Sequence, residues 1–301
     1  MAGEFYIEAV ENTTIQLTKN GSPTVGTVTY GINTSPSTTY TLNTSVSLTA
    51  GQKMYWAITS TSTNFSTRNF LIFTSTGKIN VGGDIKSLIG GNSSIPRNYC
   101  FASLFVNCTN LIDASALDLD VTFGSKTYCF YRMFYNCTGL KNPPSLPALT
   151  LGSYCYSNMF NGCTNLKLSA TETGNYTIPY RIPKTGTGTA GSNSFTSMFS
   201  GTGGTFKSDP TINTTYYLWD WSAIVTGIVS ITYNNTVLAS TEETMPCDIK
   251  YDGTVIGTID LNQTKTLTCN GKLMTGNVDV GSKKLLTIAK VMLSDVTVTA
   301  S

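Results

Sequence analysis

Histidine is missing from the chain altogether. That removes the Ser–His and Cys–His nucleophile systems and nearly all zinc-enzyme sites, which use imidazole as base or ligand. Charge is scarce as well. Asp, Glu, Lys and Arg make up 12% of 301 residues, about half the usual share. The surface must be covered mainly by Thr, Ser, Asn and Gly, a composition unusual in cytosolic enzymes. The net charge of +2 comes without a basic run, so no electrostatic footprint for nucleic acid is present. There is no run of 18 apolar residues, hence no membrane-spanning helix is expected. Met1–Phe5 lacks a basic region followed by an apolar core, so no secretory signal is read there.

Acid–base chemistry without histidine would need two carboxylates, as in a glycosidase. The pairs on offer are Asp118/Asp120, Glu242/Glu243, and Asp220 with a distant partner. Asp118 and Asp120 are expected on the same side of one strand, as a solvated face rather than an acid and a base. The Gly/Thr run Thr185–Gly191 is not followed by Lys-Ser/Thr and fails the phosphate-loop pattern. The sequence therefore predicts no catalytic residues, no cofactor and no metal.

What the chain does have is a phrase stated three times. It reads Tyr99-Cys100-Phe101-Ala102-Ser103-Leu104-Phe105-Val106-Asn107-Cys108-Thr109-Asn110-Leu111, and it returns at Tyr128–Leu140 and at Tyr154–Leu166. A worn copy, Ser194–Thr202, keeps the apolar residues and loses both cysteines. Repeats of this period indicate a solenoid. Counted from the first cysteine, the apolar positions are 0, +1, +4, +5 and +8, which fall within an arc of about 140° on a helix. Position −2 is Asn98, Thr127 or Ser153, all good N-caps. Position +7 is Asn107, Asn136 or Gly162, residues that tolerate the left-handed conformation ending a helix. The pattern predicts one short amphipathic helix per copy. Leu117, Leu119 and Val121, and then Leu146, Leu149 and Leu151, predict a short strand between helices.

Six of the eight cysteines lie in these copies. On a helix, an eight-residue separation places two cysteines about 12 Å apart, beyond disulfide reach, and matches no zinc pattern. Buried, reduced thiols are expected. Cys247 and Cys269 lie further on and could pair.

The recurrent Tyr-Cys-aromatic-x-x-Met-Phe-x-Asn/Gly-Cys-Thr-x-Leu resembles the BspA-like class of leucine-rich repeats, over about residues 95–205. The resemblance implies a solenoid with an exposed recognition or structural role. The class occurs in bacterial surface proteins and in fibre and tail proteins of phages of gut bacteria. A bacterial surface protein would carry a secretion signal, and a phage protein released by lysis would not need one. The expectation is therefore a non-enzymatic virion component, in a head or tail fibre or decoration position, with a role in host attachment. The alternative is a bacterial cell-surface adhesin binding host protein or glycan. Expected partners are other virion proteins of capsid or tail, a bacterial surface glycan, and further copies of the chain, a trimer by analogy with fibres.

The fold class read from the sequence is mainly β with short helices. Residues 1–90 read as a β-sandwich, 91–225 as a leucine-rich-repeat-like solenoid of three to four repeats with a C-terminal cap, and 226–301 as a small β-hairpin-rich domain. Trp56 is expected in the core, and Ile85–Ile89 over the first repeat. Ile231–Val237 and Ile249–Val255 read as hairpins turning at Asn234-Asn235 and Asp252-Gly253. The tail, Leu285–Leu293 to Val296–Val298, is a candidate strand for pairing across subunits. The densest aromatic stretch holds the candidate ligand platform, Tyr216, Tyr217, Trp219, Asp220 and Trp221. Aromatic faces there could stack on sugars, or else cover the last repeat.

Overall fold

The computed structural model describes residues 3–59 and 65–221 in full and, beyond them, the main chain of the strands named below. The chain divides into two compact units, residues 1–221 and 222–301. Both are mainly β. The first unit opens with β1 (Tyr6–Ala9), β2 (Thr13–Asn20), β3 (Val28–Ile32), β4 (Thr38–Thr39), β5 (Ser45–Leu48), β6 (Lys53–Ile58), β7 (Phe70–Ser75), β8 (Ile79–Asp84) and β9 (Leu111–Asp118). They form a six-stranded sheet, β4-β3-β6-β1-β8-β9, and a three-stranded one, β5-β2-β7. Period-two alternation decides which side chains are buried: Met54, Trp56 and Ile58 from β6, Ile7 and Ala9 from β1, and Ile15 and Leu17 from β2 share one core. Trp56 is fully buried, as expected. Two sheets around one core are compatible with the expected sandwich.

The repeated phrase is not helical. Among the described residues the helical element is the 3-10 turn Ile85–Ile89, N-capped by Asp84 and ended by Gly90 at φ 69°. Each copy is instead a chain of overlapping tight turns. Every fourth residue is left-handed: Tyr99, Ser103 and Asn107 in the first copy, Tyr128, Arg132 and Asn136 in the second, Tyr154, Asn158 and Gly162 in the third, Asn193, Ser197 and Gly201 in the fourth. An α-helix cannot contain such residues. Position +7 is left-handed as anticipated, but it ends a turn rather than a helix. The expected N-caps serve differently too, since Asn98 Oδ1 accepts the N–H of Thr127 in the next copy.

The turns divide the main-chain donors into two sets. Ala102, Leu104, Val106 and Cys108 donate backwards to Tyr99, Phe101, Ser103 and Phe105 within the copy. Tyr99, Phe101, Ser103, Phe105 and Asn107 donate outwards to Thr127, Cys129, Tyr131, Met133 and Tyr135 of the next copy. The same alternation joins the second copy to the third and the third to the fourth. Successive copies therefore stack in register, as parallel strands do, while turning every four residues. Side chains stack with them. Phe105, Phe134, Phe160 and Phe199 form a buried ladder at 5.4, 5.4 and 5.8 Å, with ring planes within 6° of parallel. Phe101, Phe130, Tyr156 and Phe195 form a second. Tyr99, Tyr128 and Tyr154 form a third, half-exposed one at 4.6 and 4.5 Å.

The stack has an owner at each end. At the start, Phe73 of β7 donates its N–H to Leu104 O and stacks its ring on Phe105 at 5.8 Å, while β8 pairs in parallel with β9. At the finish come β10 (Thr150–Leu151), β11 (Lys167–Ser169), β12 (Tyr176–Arg181), β13 (Thr189–Ala190), β14 (Gly203–Gly204) and β15 (Thr215–Trp219). They form the pair β10-β13 and the sheet β12-β15-β11-β14. Phe206 packs edge-on against Phe199 and is itself covered by Tyr216 at 4.4 Å. Asp209 Oδ1 accepts the N–H of Ser197, a donor that in earlier copies goes to the next turn.

The expected strand positions are partly displaced. Leu117 lies in β9 and Leu151 in β10, while Leu119, Val121 and Leu146 are buried outside any strand and Leu149 is 52% exposed. The second unit holds β16 (Val225–Tyr233), β17 (Thr236–Met245), β18 (Cys247–Tyr251), β19 (Thr254–Ile259), β20 (Thr264–Leu267), β21 (Met274–Val280), β22 (Lys283–Met292) and β23 (Val296–Ala300). The two expected hairpins are there, closing at Tyr233↔Thr236 and Tyr251↔Thr254. The two turn pairs and Cys269 lie outside the described residues, as do the side chains of Cys247, Glu242 and Glu243. The sheet orders are β17-β16-β23-β20 and β19-β18-β21-β22. Of the expected pairing tail, β23 is bonded to β16 on one side and β20 on the other, which leaves it no free ladder for another subunit, while β22 stands last in its sheet order with β21 as its neighbour.

Candidate ligand-binding site

The five platform residues do not present one face. Alternation along β15 buries Tyr216 and Leu218 and leaves Tyr217 and Trp219 half-exposed. Tyr216 is a structural residue. It covers Phe206, and its hydroxyl accepts the N–H of Thr211. Tyr217 pairs in register with Ser169 and Pro179. Asp220 is fixed through its main chain, donating to Asn175 O at 2.7 Å. Trp219 and Trp221, two residues apart, remain together, their rings 6.3 Å apart.

Both indoles carry close neighbours. Register sets Tyr176 opposite Trp219, and its ring meets the indole edge-on at 5.1 Å. Lys167 Nζ lies 4.5 Å from the Trp219 ring and 4.6 Å from the Trp221 ring. Lys141 Nζ lies 4.4 Å from the Trp221 ring. These are cation–π distances. Both lysines were missed by the sequence reading, although a signal existed: each directly follows the repeat leucine, as Leu140-Lys141 and Leu166-Lys167.

The carboxylate pair is also rearranged. Asp118 ends β9 and Asp120 lies beyond it, both exposed. They do not share a strand. Asp118 Oδ1 accepts the N–H of Asp120 at 2.8 Å, a local turn-stabilising contact of the kind Asp favours. The two line a groove of 530 Å³ with Ser145, Leu149 and Lys184. A neighbouring groove of 440 Å³ shares Asp120, Pro147 and Leu149. Both are in the size range of ligand pockets, but neither gathers a second carboxylate opposite the first.

The thiols are packing groups with a polar duty. Cys100, Cys108, Cys129, Cys137, Cys155 and Cys163 are all free and buried. Cys137 Sγ donates to Phe105 O, and Cys163 Sγ to Phe134 O, each at 3.0 Å. The worn copy keeps this duty with hydroxyls. Ser194 Oγ donates to Gly152 O where Cys155 Sγ donates to Lys126 O, whereas Thr202 Oγ1 turns to Phe199 O within its own copy. Burial pushes the Cys100 thiol up to about 12 and raises those of Cys108, Cys137 and Cys163. A thiol held protonated is a poor nucleophile. Among the described residues no group of three His, Cys, Asp or Glu side chains is placed to hold a metal ion, and no helix is long and apolar enough to cross a membrane.

The exposed side of the stack carries the tyrosine ladder, with Tyr131 edge-on to Tyr128 and Arg132 3.9 Å over the Tyr135 ring. Tyr99, Tyr128 and Tyr154 face one another, so their inner faces are taken, and Asn193 Nδ2 closes the row on the Tyr154 hydroxyl. Comparison with known proteins found no matching family model, no matching curated protein and no matching solved structure.

Proposed function

We propose that the chain is a non-enzymatic structural component of a phage virion, in a head or tail fibre or decoration position. In this reading residues 91–225 form a leucine-rich-repeat-like solenoid that holds a surface out for attachment to the host. The observation that carries it is the register-matched stack: five outward N–H bonds at each junction between copies, with ring ladders running through all four. Every copy is fixed on both sides, which suits a rigid display element rather than a site that must close on a substrate. The exposed, self-bonded Asp118 and Asp120 support a passive surface over an acid and a base. The BspA-like phrase supplies the setting: a virion assembled in the host cytoplasm, capsid or tail proteins as neighbours, a bacterial surface glycan as target, and self-association, a trimer by analogy.

The test is negative-stain imaging of purified phage particles labelled with antibody against the chain. Label at a fixed head or tail position is the expected result. Unlabelled particles, with label instead on the bacterial cell surface, would replace this reading with that of an adhesin.

A further inference from the structure

We infer that Lys141, Lys167 and Trp221 form a binding site for the anionic groups of an acidic polysaccharide. The inference deepens the attachment reading and rests on it for the class of target, but its geometry stands separately. Two ammonium groups lie over one indole, at 4.4 and 4.6 Å from the Trp221 centroid. They are therefore no farther apart than those two distances laid end to end. Like charges this close repel. Among the described residues, neither Lys141 nor Lys167 has an ion pair. The attraction of the ring holds both cations in place and leaves N–H donors of each ammonium directed away from the indole.

The indole serves as the support and not as a further donor, since Trp221 Nε1–H is itself buried. Two ammonium groups over one ring suit an anion with several oxygens, bound by charge-assisted hydrogen bonds. They suit a neutral sugar less, because ammonium groups already lie over the ring on which a pyranose would stack. The residues are half-exposed, so one isolated anion would be held weakly. A polymer that repeats the anion re-engages the site each time a contact breaks. The mounting is rigid. Lys167 begins β11, whose Leu168 pairs with Leu218 of β15, and Trp219 is braced by Tyr176.

The experiment is affinity electrophoresis of the full chain through gels containing polygalacturonate, dextran sulfate or neutral dextran, with titrations followed by tryptophan fluorescence. Retardation by a polyanion and none by dextran is expected, and the two polyanion arms tell carboxylate from sulfate. The double variant K141Q/K167Q should bind about tenfold more weakly, equal to ~1.4 kcal/mol. W221A, which takes the ring from under the lysines, should fall between. A control, K19Q/K207Q, removes the same charge from exposed lysines elsewhere and should bind as the parent does. Equal weakening by the two double variants would mean retention by net charge alone and would overturn the inference. So would parent-like binding by K141Q/K167Q, or no retardation of the parent. Thermal melts of each variant separate loss of binding from loss of fold. Labelled particles with no polyanion binding would remove this inference and leave the virion reading standing; polyanion binding with unlabelled particles would do the reverse.

Discussion

Substituting Ser103 with glycine and with alanine distinguishes a left-handed turn from a helix by the sign of one difference. Ser103 has φ 61° and is 5% exposed. Both substitutions delete the same hydroxyl, so their difference reads the backbone preference together with one methyl group. A Cβ at a left-handed position costs about 1–2 kcal/mol. Glycine gives back about 0.4–1 kcal/mol through the greater freedom of its unfolded chain. S103G should therefore be more stable than S103A by roughly 0.5–1 kcal/mol. In a helix interior the order reverses, with glycine worse by roughly 0.5–1 kcal/mol. A difference of 1 kcal/mol moves the melting temperature of a unit this size by about 2–4 °C, which scanning calorimetry of the full chain resolves. The same order is expected at Ser197, φ 54°. S103A melting above S103G would refute the turn geometry and restore the helix.

Four further outcomes follow from the packing. The six buried thiols should resist iodoacetamide in the folded chain at pH 8 and react on unfolding, as mass spectrometry would count. The raised folded pKa of Cys100, Cys108, Cys137 and Cys163 also fixes a sign: the unfolded thiols ionise from about pH 8.5 while Cys100 holds its proton to about 12, so stability falls as pH rises through that window, and denaturant midpoints flat from pH 8 to 10.5 would contradict it. G152A places a Cβ 1.8 Å from Lys126 O, an overlap that costs about 1–3 kcal/mol or more; a melting temperature equal to the parent's would mean the copies are not stacked as closely as described. D209A strips the acceptor from the Ser197 N–H at the end of the stack, with an expected loss of about 0.5–1.5 kcal/mol and faster amide exchange in the fourth copy ahead of the others.

The thiol positions show why the worn copy belongs to the series. Ser194 and Thr202 differ from cysteine in chemistry, yet each still sends a donor to a neighbouring carbonyl. What the position selects is a small side chain carrying one hydrogen-bond donor. C155S should accordingly be tolerated, its hydroxyl donating to Lys126 O as Ser194 does to Gly152 O, and C155L should cost about 1–3 kcal/mol by overpacking; equal melting temperatures for the two would show that neither volume nor donor matters there.

The sequence by itself determined that a unit recurs, which of its residues turn inward, that its cysteines are packed rather than bridged, and that strands dominate the flanks. Those properties follow from periodicity and composition, which every copy states again. It did not determine the backbone of the unit. Apolar positions 0, +1, +4, +5 and +8 satisfy a period of four as well as they satisfy 3.6, because by +8 the helix has drifted only about 80°, still inside the apolar arc. Tyr99, Ser103 and Arg132 carry no local signal for a left-handed conformation. They adopt it because five outward N–H groups find acceptors one copy away and the rings stack when they do. The lysines above Trp221 are likewise a tertiary fact. Residues 141, 167 and 221 are brought together only once the copies stack and β15 pairs with β11, since contacts between residues so distant in sequence are written into the packing and not into any one stretch of the chain.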